Sequence, residues 1–133
     1  MIEINNLTAL PVNEEFLRKV AKKVLEGENK KEADLSIALV NQDRIRELNK
    51  KYKRKNRVTD VLAFPDRELG LGEIVICPQE VKKNAKKFWE TFETELARVL
   101  IHGLLHLLGY NHDKSGKFAE EMKKKEEYYL SQI

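Results

Sequence analysis

The sequence ELARVLIHGLLHLLGY occupies residues 95–110 and contains the longest apolar run of the chain. Apolar residues fall on nearly every side of a helix drawn through 96–108, which predicts a buried helix opened by Thr94. Gly109 follows at a position typical of a helix end. Because two histidines and an arginine interrupt the run, it falls short of the ~20 apolar residues of a membrane span. We therefore predict a core helix and no membrane partner.

The rest of the chain alternates between strand and helix patterns. Strands are predicted at 2–4, 33–40, 59–64 and 71–77. Helices are predicted from an Asn13 cap to Gly27, after Asn41, from Pro78 to about Phe88, and from Ser115 or Asp113 to the C-terminus. The segment 50–57 is predicted to be a loop. Interspersed strands and helices indicate an α/β or α+β fold with packed layers.

Composition supports one folded domain spanning residues 1–133. The 133 residues are 41% apolar and 35% charged, which argues against disorder, and the length fits a single domain. The single cysteine, Cys77, excludes an internal disulfide framework and is expected to be a small core residue. The first ten residues lack the basic and apolar regions of a signal peptide, so none is expected. The single cysteine suits the reducing cytosol of a cytoplasmic protein.

Three histidines, His102, His106 and His112, lie within eleven residues and are the only histidines of the chain. The first two are four residues apart and project from one helix face. Gly109 can fold the chain back and bring His112 towards them. Three imidazoles and a water molecule make the ligand set of a catalytic zinc site, so we predict one zinc ion per chain. Two core histidines and a loop histidine are the simpler alternative, but buried imidazoles need partners.

This histidine spacing is that of the metzincin peptidases, H-x-x-x-H-x-x-G-x-x-H. Position 103, however, is glycine, where those enzymes carry the general-base glutamate. This difference argues against an ordinary protease. A glycine inside a helix costs about 1 kcal/mol relative to alanine, so we expect a close approach of another element at Gly103.

The segment from Lys50 to Arg57 contains six basic residues in eight and no acidic residue. Such a segment can neutralise the phosphates of a nucleic acid. A solvated surface loop is the alternative, since charge runs usually face solvent.

Three segments together resemble the bacterial YbeY family, the zinc-dependent endoribonucleases of rRNA maturation. The segment HGLLHLLGYNH at 102–112 resembles the family signature H-G-x-L-H-L-x-G-Y-D-H, with Asn111 in place of the aspartate. YKRKNRVTDVLAFP at 52–65 and LGEIVIC at 71–77 resemble two further family segments. The resemblance runs from about Leu48 to Met122.

The resemblance implies an α+β fold with a small mixed sheet flanked by helices, including a metzincin-like zinc helix. It implies zinc held by the three histidines and cleavage of single-stranded RNA during 3′-end maturation of small-subunit rRNA and in ribosome quality control. The expected partners are single-stranded rRNA and the small ribosomal subunit; the oligomeric state stays open. A non-catalytic assembly factor with a structural zinc, and a zinc hydrolase acting on another substrate, remain alternatives.

Lys53 stands where the family usually has an arginine that contacts RNA, and Arg54 follows it. We expect these two residues to share that role, with Arg54 making the geometry-sensitive contact. The full RNA-binding set is predicted to be Lys51, Lys53, Arg54, Lys55 and Arg57.

Two aspartates and three aromatic residues are interpreted mainly as structural. Asp60 and Asp113 are general-base candidates by their place in the motifs, although hydrogen bonds in turns and caps are the favoured role. Phe88, Trp89 and Phe92 are expected to pack in the interior, with base stacking as an alternative that no sequence pattern supports.

Overall fold

A four-stranded mixed sheet forms the centre of the fold in the computed structural model, which describes residues 1–66, 68, 70–110 and 116–133, apart from the side chain at 118. The strands are β1 (Ile2–Asn6), β2 (Leu35–Leu39), β3 (Val61–Pro65) and β4 (Gly72–Ile76). Their order across the sheet is β1-β2-β4-β3. β2 runs parallel to β1 and to β4, whereas β3 runs antiparallel to β4. The mixed sheet and the predicted α+β class are thereby confirmed.

Five helices surround the sheet in the described residues. They are α1 (Glu14–Gly27), α2 (Gln42–Lys53), α3 (Pro78–Lys87), α4 (Phe92–Leu107) and α5 (Gly116–Ser131). The predicted caps of the first two helices are confirmed, because Asn13 and Asn41 accept hydrogen bonds from backbone N–H groups at their N-termini. The proposed caps of α5, Asp113 and Ser115, lie outside the described residues.

The main core lies between one face of the sheet and α4. This helix contacts α1, α3, α5, β3 and β4, and side chains on nearly all its sides are buried, as predicted. Alternate strand residues such as Ile37 and Ile74 point into this core. A smaller cluster covers the opposite face beneath α2 and contains Val40, Ile45, Leu62, Val75 and Cys77. Cys77 is therefore the core residue expected, and burial raises the pKa of its thiol.

The strands predicted at 33–40, 59–64 and 71–77 are observed at Leu35–Leu39, Val61–Pro65 and Gly72–Ile76. Two helix boundaries, in α4 and α2, also differ from the sequence-based expectation. α4 begins at Phe92 and not at Thr94, because Thr91 is the N-cap and its hydroxyl accepts a 3.0 Å hydrogen bond from the Thr94 N–H. α2 continues through Lys53, so the predicted loop at 50–57 is wrong for its first four residues. Lysines are good helix formers, and cations in the last turn complement the helix dipole.

The close approach expected at Gly103 is confirmed. A Cβ atom built on this residue would lie 3.3 Å from methyl carbons of Ile74 and Val61. Because Gly103 has no side chain, α4 can pack closely against β3 and β4 next to His102. Within the described ranges, no helix has the length and apolarity needed to cross a membrane.

Candidate active site

Two histidines of α4 converge on a common point. The Nε2 atoms of His102 and His106 are 3.0 Å apart, and both side chains are half-buried. Two nitrogen ligands of a tetrahedral zinc ion, each at 2.0–2.1 Å, are about 3.3 Å apart. The pair therefore fits two corners of a zinc site after a shift of a few tenths of an ångström.

Glu126 of α5 fixes the orientation of the first of these histidines. Its Oε1 atom lies 2.5 Å from Nδ1 of His102. A carboxylate on the far ring nitrogen holds the N–H there and leaves Nε2 as the ligand atom, an arrangement that recurs behind metal-binding histidines. Nothing in the sequence pattern pairs these two residues, which are 24 positions apart on different helices.

The third predicted ligand, His112, lies outside the described residues, as does Asp113. Among the residues that the structure describes, no group of three or more His, Cys, Asp or Glu side chains is arranged to hold a metal. The three-histidine zinc site thus stays a prediction, with two of its members brought together.

The chain just before His112 is anchored by a carboxylate of α1's C-terminal end. The hydroxyl of Tyr110 donates a 2.7 Å hydrogen bond to Glu28, which also accepts hydrogen bonds from the Tyr129 hydroxyl and, at 3.1 Å, from the Lys125 ammonium group. Burial raises the pKa of Glu28, but these three donors outweigh it and lower the pKa overall. Burial and the bond to Glu28 raise the pKa of Tyr110 to about 12. At neutral pH the Glu28 carboxyl group is therefore ionised and the Tyr110 hydroxyl keeps its proton, which is the combination that this hydrogen bond needs.

A cleft of about 790 Å³ opens beside the two histidines. Its wall combines imidazoles, cations and carboxylates. The polar side chains that line it include His102, His106, Glu126, Lys53, Lys55, Arg57, Arg98, Asp60 and Glu95. Three of the five predicted RNA-binding residues therefore share a cavity with the two histidines.

The other two basic residues lie elsewhere. Lys51 lines a separate groove along α2. Arg54 ends that helix in a left-handed conformation, with φ 58° and its N–H bonded to Asn49, and is not one of the described residues around the cleft. Lys53 does line the cleft, with its Nζ 5.4 Å from the ring centroid of Phe64. The RNA role of these residues stays a prediction, and the structure favours Lys53 over Arg54 for a contact near the histidines.

Asp60 faces the cleft with its carboxylate in hydrogen-bonding range of two neighbours. Its oxygens accept long hydrogen bonds from Asn84 at 3.4 Å and from Thr59 at 3.5 Å. These side-chain contacts, one of them to α3, differ from the turn and cap hydrogen bonds expected for Asp60 from the sequence.

Sequence reasoning missed two cleft residues, Glu95 and Arg98. Glu95 is 4% exposed, and its Oε1 accepts a 3.1 Å hydrogen bond from Nε of Arg98. Burial raises the pKa of Glu95, and Arg98 offsets part of that rise. Glu95, Arg98, His102 and His106 follow the spacing i, i+3, i+7, i+11. Helical periodicity therefore predicts that all four side chains share one face of α4.

Comparisons with known proteins agree over almost the whole chain. A family model described as Endoribonuclease YbeY matches residues 3–133. The protein named Endoribonuclease YbeY of Thermotoga neapolitana is 40% identical over 121 residues, covering 90% of this chain and 81% of the relative. Its namesake in Aquifex aeolicus is 35% identical over 127 residues, covering 92% and 85%. The solution structure of TM1509 from Thermotoga maritima matches with a TM-score of 0.69 and 37% identity, covering 98% of this chain and 87% of that one. The chain therefore belongs to the YbeY endoribonuclease family.

Proposed function

We propose that this protein is a zinc-dependent endoribonuclease that hydrolyses single-stranded RNA during 3′-end maturation of small-subunit rRNA. One observation carries the proposal: the converging Nε2 atoms of His102 and His106 border the same cleft as Lys53 and Arg57. A metal-binding pair and phosphate-binding cations then meet where an RNA strand can enter. The names of the matching relatives support the reaction class.

His102, His106 and the predicted ligand His112 would hold the metal. Bound zinc would supply Lewis-acid polarisation of a phosphoryl oxygen and raise the acidity of water. The contribution of Glu126 is to keep the proton of His102 on Nδ1, so that Nε2 presents its lone pair to the metal.

The cations of the cleft would position the substrate. Lys53, Lys55 and Arg57 are exposed side chains that neutralise phosphates without reading bases. Arg98 adds a guanidinium group held by buried Glu95, so its direction is fixed before RNA binds. Lys51 and Arg54 extend the positive surface beyond the cleft.

A peptidase is disfavoured by the packing of α4. Position 103 bears no carboxylate, and a side chain there would meet Ile74 and Val61. A non-catalytic assembly factor is disfavoured by the matching family model and relatives, which are named as endoribonucleases. Association with the small ribosomal subunit and a cytoplasmic location are part of the proposal, and a single cysteine suits a reducing compartment.

Single-turnover cleavage of a precursor RNA spanning the 3′ end of small-subunit rRNA tests the proposal. Zinc-loaded protein is expected to cut within unpaired segments, and metal-stripped protein and His106→Ala to lose this activity. His106→Ala should also lose stoichiometric zinc, because one ligand is removed. Glu127→Gln, an exposed change on α5, serves as the control.

Equal cleavage by metal-stripped protein would remove zinc from the mechanism. Zinc-loaded protein that binds the precursor but never cuts it would establish the assembly-factor alternative.

A further inference from the structure

Two aromatic side chains at the end of α3 face solvent. Trp89 is 96% exposed and Phe88 57%. The expectation that these residues pack in the interior is therefore wrong, while Phe92 does pack against the core. Tryptophan normally contributes to folding by burying its large ring, and Trp89 makes no such contribution.

The backbone conformation at Trp89 is also energetically unfavourable for a tryptophan. Its φ of 59° places it in the left-handed region, directly after α3. The N–H of Glu90 bonds to the carbonyl of Ala85 at 2.9 Å, closing the type of helix end at which glycine is usual. A bulky residue in this conformation is strained. Folding stability therefore gives no reason for tryptophan at this position, which points to a role in binding.

Sequence neighbours of the aromatic pair contact two residues of the cleft wall, Asp60 and Arg98. One turn before Phe88, Asn84 donates a hydrogen bond to Asp60 of the cleft wall. Directly after Trp89, Glu90 lies 3.7 Å from Arg98, another residue of that wall. Contacts to the cleft thus flank the pair on both sides.

The helix before the pair is rich in lysine, with Glu80 pairing Lys83 at 3.5 Å and Glu90 following Trp89. The exposed face of α3 carries four lysines: Lys82, Lys83, Lys86 and Lys87. The Nζ atom of Lys87 lies 5.7 Å from the ring centroid of Phe88. Exposed aromatic rings interleaved with cations are the composition of surfaces that bind single-stranded nucleic acid by base stacking and phosphate neutralisation.

We propose that Phe88 and Trp89 form a base-stacking platform that holds unpaired bases of the RNA strand where it leaves the cleft. The lysines of α3 neutralise the adjoining phosphates. This inference rests on the proposed function, because it assigns a further binding site to the same RNA substrate. A duplex hides its base faces, so the platform favours single strands.

Trp89 is the only tryptophan of the chain, so the intrinsic tryptophan fluorescence of the protein reports on this one ring. Zinc-loaded protein is titrated with a 12-nucleotide single-stranded RNA of mixed sequence, whose integrity is checked on a gel afterwards. Anisotropy of the labelled RNA gives an independent Kd. We expect single-stranded RNA to quench the tryptophan emission with a midpoint equal to the Kd from anisotropy. A duplex of the same sequence should cause little quenching. RNA binding seen by anisotropy with unchanged tryptophan emission would overturn the platform.

The variant Trp89→Gly separates binding from folding. It removes the ring and supplies the residue that the left-handed backbone favours, so the melting temperature should equal or exceed that of wild type. RNA affinity should fall about 10-fold, because stacking on one aromatic ring is lost. Tyr128→Ala, which removes an aromatic ring that is 56% exposed on α5, should leave RNA affinity unchanged.

The outcomes distinguish the platform from the proposed function. Wild-type protein that cuts RNA while Trp89→Gly retains full affinity would overturn the platform alone. Wild-type protein that neither binds nor cuts single-stranded RNA would overturn the proposed function and the platform with it. Reduced affinity for a protein partner, with RNA affinity unchanged, would assign the aromatic pair to protein docking and overturn the platform.

Discussion

The hydroxyl group of Tyr110 donates a 2.7 Å hydrogen bond to Glu28, a residue 82 positions earlier in the chain. Tyr110 precedes the predicted ligand His112 by two residues, and Glu28 is the C-cap of α1. The same carboxylate accepts hydrogen bonds from Tyr129 and Lys125 of α5. One mostly buried carboxylate therefore ties α1, α5 and the chain at Tyr110 to a common point, two residues before the predicted ligand.

Removal of the Tyr110 hydroxyl should weaken zinc binding through this anchor. Tyr110→Phe is expected to lower the free energy of unfolding by about 1 kcal/mol, since one hydrogen bond is lost, and to lower zinc affinity several-fold. Tyr129→Phe removes a hydroxyl from the same carboxylate but does not touch the chain near His112. Its stability loss should be similar and its zinc affinity unchanged. Urea unfolding with chelator and competitive zinc titration measure the two effects; equal affinity losses in both variants would show a global effect only.

Glu28 should also shape the stability of the protein in acid. The hydrogen bonds to its carboxylate hold its pKa below the ordinary value of 4.5. Its stabilising contribution is therefore complete above about pH 4.5 and is lost as the pH falls through the lower pKa of the folded state. Glu28→Gln should reduce the free energy of unfolding at pH 7 and make its decline between pH 5 and 3 less steep. Glu26→Gln, at an exposed site on α1, is the control, and an acid profile of Glu28→Gln as steep as that of wild type would contradict this account.

Local sequence patterns predicted most of the fold because each needs only neighbouring residues. The Asn13 cap, the buried α4 and the close approach at Gly103 all follow from residue types within a few turns. No local pattern predicts the contact between His102 and Glu126. Helix α5 carries several glutamates, and only its packing against α4 determines which of them reaches His102. The exposure of Trp89 was missed for a related reason. Hydrophobicity predicts burial, but the left-handed turn after α3 points this ring into solvent.

The contact between Glu126 and His102 predicts an effect on metal affinity without a change of fold. Glu126→Gln keeps the shape of the side chain but removes the charge that holds the imidazole. Zinc affinity should fall about 10- to 100-fold, the usual range for such supporting residues. Glu127→Gln removes a neighbouring exposed charge of α5 and should bind zinc as wild type does. Competitive titration against a chelator measures both, and equal affinities would show that Glu126 does not position the ligand.

Gly103→Ala should disturb the packing of α4 on the sheet. The new methyl group would lie 3.3 Å from methyl carbons of Ile74 and Val61. Overpacking of this kind costs about 1–3 kcal/mol, against a gain of about 1 kcal/mol in helix propensity. Thermal unfolding should therefore show equal or lower stability, and adding Val61→Ala should restore part of any loss. Gly116→Ala meets no atom within 4 Å and should not destabilise; a clear stabilisation by Gly103→Ala would contradict the close approach.

Lys53 and Arg54 are adjacent basic residues that lie differently relative to the cleft, so their variants can be compared. Lys53 lines the cleft with the two histidines, whereas Arg54 caps α2 outside it. Lys53→Ala should lower the salt dependence of RNA binding by about one unit of slope, as expected for one lost phosphate contact. It should also slow cleavage at saturating RNA, because Lys53 shares the cleft with the two predicted metal ligands. Arg54→Gly removes a charge of the same sign and suits the left-handed backbone at φ 58°. It should weaken RNA binding at low salt but leave the single-turnover rate at saturating RNA close to that of wild type. If Arg54→Gly slows cleavage more than Lys53→Ala does, the arginine makes the geometry-sensitive contact that the sequence alone suggested, and its side chain must reach the cleft when RNA binds.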